Sequence, residues 1–273
     1  MIVCRSRTMI RSKFICGMVA ILIFATVPAA WGARREVGKS ARKEAARYRF
    51  TIVENAAFTR NLKGKNIPVR EMEHELLRFF AALDELGVSF VKKSGLKRVM
   101  ICRDLTSLGK PVSGVAGGDC IYLRAGFSKK TVYHEVYHLL DPEREDTSWT
   151  RLNHKKFRYK GIDYPKRPMR RSDKRKIEQH QQKYSHIDFA ADFVSGYAQS
   201  NEREDRAETF SHMVNDSKRF MQKARRSPVL WRKMQYMIDM TGRKSLLGKT
   251  YWQRKLGAEA FGKYPGTASG KSK

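Results

Sequence analysis

Residues 128–142 restrict this chain more than any other stretch. At about 100° per residue, Val132, Val136, Leu139 and Leu140 fall on one face of a helix and His134 and His138 on the opposite one. Ser128 is placed to cap that helix and Pro142 to end it. The apolar face has to be packed on a core. The opposite face carries two imidazoles one turn apart, the spacing at which both can hold a single cation. The fold must therefore place a packed layer beneath this helix and a protected space above it, with further ligands arriving from elsewhere in the chain.

His134-Glu135-Val136-Tyr137-His138 matches the zincin motif, in which two imidazoles chelate zinc and the Glu between them takes a proton from a water molecule. Glu135 is then the general base. Asp141 falls beside the histidines and reads either as an acceptor orienting an imidazole or as an ordinary residue of the helix C-terminus. The metzincin continuation would need Gly at 141 and a ligand at 144, where this chain has Asp141 and Arg144. The next acidic candidates are Glu204 and Glu208, one turn apart on a single face of a second helix. Periodicity does not choose between them, and Asn201 followed by Glu204 is also a capping box. Either choice gives a gluzincin-type site, with one ligand on a second helix.

Tyr197-Ala198-Gln199-Ser200-Asn201-Glu202-Arg203-Glu204, followed by Ala207-Glu208-Thr209-Phe210, resembles a known segment. It is similar to the second zinc helix of the anthrax lethal factor catalytic domain, and to bacterial zinc-binding metallopeptidases that carry a Glu-Asp-x-Ala-Glu helix. The resemblance is specific in the two motif segments and looser over residues 48–248. It implies a zincin-like fold with a small sheet and an active-site helix, and one Zn2+ held by His134, His138 and Glu204. It also implies a catalytic Tyr197 and a supporting Glu208. The activity it implies is hydrolysis of peptide bonds, with a peptide or protein as substrate.

Patterning elsewhere suggests α+β. Strands are expected at 48–53, 98–102 and 119–123, and helices at 69–86, 202–213 and 229–240, which makes the second half mainly helical. Residues 33–46 and 251–273 read as basic flexible ends around one domain at 47–250. Hydrophobic residues make up 41% of the chain, so a folded core is expected despite a net charge of +29. That charge is densest at 151–183, read either as a solvated insertion or as a surface for an anionic envelope polymer or nucleic acid.

Arg5, Arg7, Arg11 and Lys13 precede an apolar run at 14–27 and small residues, the order of a signal peptide cut after Gly32. The run is too short for a spanning helix, so an exported protein, periplasmic or secreted, is expected with no stable transmembrane span. Cys4 and Cys16 would leave with that segment. Cys102 and Cys120 would remain, either as one disulfide in an oxidising compartment or as two buried thiols. The disulfide is the reading preferred.

Overall fold

The computed structural model describes residues 36–55, 58–141, 147–161, 171–243 and 245–265. The apolar run and cut at Gly32, Pro142, Arg144, and Lys166, Arg167 and Arg170 of the basic stretch lie outside these residues, as do 266–273.

The described residues form an α+β fold. In order they make α1 (Lys39–Tyr48), β1 (Thr51–Ile52), β2 (Leu62–Asn66), α2 (Val69–Leu86), α3 (Val88–Lys93), β3 (Arg98–Ser107), β4 (Lys110–Pro111), β5 (Gly114–Gly117) and β6 (Cys120–Arg124). After these strands come α4 (Lys129–Leu140), α5 (Thr147–Thr150), α6 (Arg171–Lys183), α7 (Glu202–Asn215), α8 (Ser217–Ala224), α9 (Pro228–Arg243) and α10 (Lys249–Leu256). The sheet runs β1-β3-β6-β5, with β2 and β4 also pairing along the long β3. β5 is antiparallel to β6 and stands at the end of this order.

The core sits where α4 packs against the sheet on one side and against α2 and α7 on others. In α2, Met72, Leu76, Phe79, Phe80, Leu83 and Leu86 recur at helical spacing and are buried, and Gly87 stops the helix at φ 82°. Val132 and Val136 bury the lower face of α4 completely, together with Tyr133 and Tyr137. The Ser128 side chain accepts from Thr131 N and starts that helix as expected. Among the described residues, no helix is long and apolar enough to cross a membrane.

Three expectations need correction. The chain ends are structured further than their composition suggests. Lys39–Tyr48 is helical with Ala45 and Tyr48 buried, and Lys249–Leu256 is helical with Trp252 and Leu256 buried. In both, scattered apolar residues reach the core between many lysines and arginines. The strand expected from residue 48 shrinks to Thr51–Ile52.

The third correction is the disulfide, since Cys102 and Cys120 are both free and buried. Their strands are parallel neighbours, because β4 and β5 intervene and reverse the chain twice. In that register Cys120 lies opposite Arg98 and Cys102 opposite Arg124. Four residues of strand separate the two levels, about 13 Å, whereas a disulfide needs Cα atoms within about 7 Å. Burial pushes each thiol up to about 11.

Candidate metal centre

The two-faced helix α4 delivers its second face as expected: His134, Glu135 and His138 are all buried. Facing them is α7, started by Asn201, whose Oδ1 accepts from Glu204 N at 2.9 Å. The cap and the ligand candidate are thus the same local motif, with the Glu204 side chain free to turn inward. Glu204 Oε2 lies 3.0 Å from His134 Nε2 and 3.3 Å from His138 Nε2, and the two Nε2 atoms are 3.0 Å apart. A tetrahedral zinc with bonds of 2.0–2.1 Å would space its ligands by about 3.4 Å. These three buried atoms therefore form close to one face of such a tetrahedron.

Electrostatics favour a cation at this point. Burial lowers His138 to about 4. It would lower His134 too, but the Glu204 and Glu208 carboxylates override it and raise that imidazole to about 10. Glu204 is held at about 2: burial opposes its charge, and the two imidazoles outweigh burial. Two ring nitrogens directed at each other and at one carboxylate cannot all be satisfied by protons, whereas one divalent cation accepts a lone pair from each.

Glu208, one turn beyond Glu204, does not reach this triangle. Its Oε1 lies 3.2 Å from His134 Nδ1, close enough for an ion pair but out of line for a hydrogen bond. It also accepts from Lys130 Nζ at 3.2 Å and from Ser195 Oγ at 2.6 Å. These partners outweigh burial and hold its carboxyl far below the usual range. His212 joins the same cluster, with Nε2 3.6 Å from Glu208 Oε2. Ser195 Oγ also accepts from Ala198 N at 3.1 Å, which ties the 3-10 turn Tyr197–Gln199 to Glu208. That turn sets the Tyr197 ring 6.1 Å from the His134 ring and leaves Tyr197 47% exposed.

Asp141 takes a different place from the one suggested by its position. Its Oδ2 accepts from Arg206 Nε at 2.9 Å, joining the end of α4 to α7, and His138 Nδ1 is buried without a hydrogen-bond partner. The reason is reach: Asp141 has left the helix, with ψ 115°, and points across to α7.

Several residues of the site carry no sequence signal. A Cβ on Gly114 would lie 2.8 Å from both Cγ and Oε1 of Glu135, so β5 approaches α4 closely only because this residue lacks a side chain. Ala116 lines the same cavity beside Gly114, and burial raises the Glu135 carboxyl to about 7. Asp205, adjacent to Glu204, has its Oδ2 bonded to Lys233 Nζ at 2.8 Å, Trp149 Nε1 at 2.9 Å and Tyr159 Oη at 2.8 Å. This knot pins the first turn of α7 and with it the direction of Glu204. Only the pairing of distant elements reveals it.

The site opens into a cavity of about 390 Å3, lined in part by Gly114, Ala116, Lys130, Glu135, Tyr197 and Arg203. The chain matches no protein-family model, and a search of curated proteins finds no match. Among solved structures it is similar to a Bacteroides caccae protein provisionally described as a zinc-binding metallo-peptidase, with a TM-score of 0.49 and 13% identity. The alignment covers 82% of this chain and 95% of that one.

Proposed function

We propose that this chain is a zinc-dependent peptidase. The observation that carries the reading is the convergence of His134 Nε2, His138 Nε2 and Glu204 Oε2 beside Glu135 in one cavity. Three protein ligands leave a fourth position open, the pattern of a catalytic rather than a structural site. When bound, zinc supplies a Lewis acid and brings the pKa of a water towards about 7. Glu135, buried beside the three ligand atoms, would take a proton from the attacking water and pass it to the leaving amine. Tyr197 donates from its hydroxyl to the developing oxyanion. Glu208 orients His134, and Lys130 and Ser195 hold Glu208 in turn.

A peptide substrate suits the neighbourhood. β5 stands at the end of the sheet order and contributes Gly114 and Ala116 to the cavity wall, so its backbone is available to an extended chain. We place the protein outside the cytoplasm, in the periplasm or secreted, on the N-terminal pattern of the sequence.

A second reading, a cationic binding protein for an anionic envelope polymer or nucleic acid, draws on α6. None of its side chains is buried, and it carries Arg171, Lys174, Arg175, Lys176 and Lys183. One experiment separates the two: zinc content and casein hydrolysis of the native protein and of Glu135→Gln. The peptidase reading expects about one zinc per chain in both and hydrolysis only in the native protein. Metal without Glu135-dependent turnover supports the second reading.

A further inference from the structure

Two cations line the cavity, and they differ in how they are compensated. Lys130, near the start of α4, is neutralised by Glu208 at 3.2 Å. Arg203, one residue before Glu204, lies beside the far end of α4, where its Nη2 donates a long 3.4 Å bond to His138 O. Lys130 and His138 are eight residues apart on the helix, so the two cations meet α4 at backbone positions about 12 Å apart along it.

Arg203 pairs with no carboxylate among the described residues, and its Nε is buried without a hydrogen-bond partner. Among the described residues, Glu135 and Asp141 feel its charge without bonding to it, and the nearby carboxylates have other partners. Asp141 accepts from Arg206 Nε at 2.9 Å, and Glu204 faces the two imidazoles. A guanidinium stays charged at any physiological pH, and a buried N–H without an acceptor is costly. Its planar fork fits a carboxylate in two parallel hydrogen bonds. An arginine serving only to brace α7 against α4 would be expected to have such a partner already, as Arg206 does.

We infer that Arg203 is a carboxylate-binding residue of the substrate cleft, so that the preferred peptides carry a carboxylate on the His138 side of the scissile bond. The inference rests on the peptidase reading for the word substrate, but the binding it describes does not require turnover. Either an Asp or Glu side chain or a free C-terminus can supply the carboxylate. A charge-assisted, two-bond contact in a partly buried site should favour the acid over its amide by about tenfold or more, and the preference should shrink with added salt.

The test uses zinc-loaded Glu135→Gln protein and fluorescein-labelled peptides in matched pairs, measured by anisotropy. One set exchanges Asp for Asn at successive positions, and the other exchanges a free C-terminus for the amide. We expect one set to show an acid preference of about tenfold that falls to less than twofold in Glu135→Gln/Arg203→Gln of equal zinc content. Arg203→Lys, which keeps the charge and loses the fork, should keep part of the preference and covers the case in which the Gln variant fails to fold. Equal binding of acid and amide in both sets overturns the inference, as does a preference that survives in the Gln variant or stays at full strength in the Lys variant. Arg203-dependent binding without turnover of any peptide by the native protein would leave the inference standing and remove the peptidase reading. Turnover without acid preference would do the reverse.

Discussion

Lys233 Nζ lies 2.8 Å from Asp205 Oδ2 with neither side chain exposed, and the same ammonium sits 3.6 Å from the centre of the Phe193 ring. The pair joins α9 to the residue next to Glu204. Burial opposes both charges, raising Asp205 and lowering Lys233, so each depends on the other to remain ionised. Lys233→Ala should destabilise the protein by about 3–5 kcal/mol in urea unfolding, because Asp205 is left buried and unpaired. A loss below about 1 kcal/mol would mean that Trp149 and Tyr159 alone suffice to hold Asp205.

Glu204 and Glu208 share a helix face and should behave differently when removed. Glu204→Ala should abolish stoichiometric zinc, as should His134→Ala and His138→Ala. Glu208→Ala should weaken metal affinity or activity by about 10–100-fold and still hold zinc at micromolar metal. Elemental analysis of folded variants, with circular dichroism as the folding control, checks both. Zinc lost from Glu208→Ala and kept by Glu204→Ala would exchange their roles.

Two substitutions should keep the metal and lose rate. Tyr197→Phe removes a hydroxyl needed only once charge develops on the substrate, so kcat should drop by about 100-fold with KM little changed. Gly114→Ala should displace the Glu135 carboxylate, because the added methyl meets Cγ and Oε1 at 2.8 Å. It too should lower kcat at constant zinc content. Full activity in Gly114→Ala would show that β5 moves away at little cost.

Alkylation of the unfolded protein without reductant should label both Cys102 and Cys120, since their parallel register keeps them apart. A disulfide-linked peptide pair in the mass spectrum would require a different pairing of β3 and β6.

If α6 serves as a polyanion surface, Arg171→Ser, Lys174→Ser and Arg175→Ser together should move elution from heparin to clearly lower salt, because each lost contact releases fewer counterions. Unchanged elution would leave α6 a solvated helix.

The chemistry of α4 was written in local sequence. The i, i+4 histidines, the Glu between them, the Val132 and Val136 face and the Ser128 cap are all consequences of a 3.6-residue period, which one segment suffices to reveal. The acidic helix was equally legible, down to its Asn201 cap, but its periodicity left Glu204 and Glu208 equivalent. The tertiary structure separated them by setting the distance between α4 and α7, which brings Glu204 to both Nε2 atoms and Glu208 only to the far side of His134. Strand direction was also beyond local reading: the short β4 and Gly-rich β5 carry no alternating pattern, and they make β3 and β6 parallel and keep the cysteines apart. Gly114 against Glu135, Asp205 with Lys233, and Arg203 on the His138 carbonyl are contacts between elements far apart in the chain. A sequence period describes how one segment faces a core, and only the packed core decides which segment it meets.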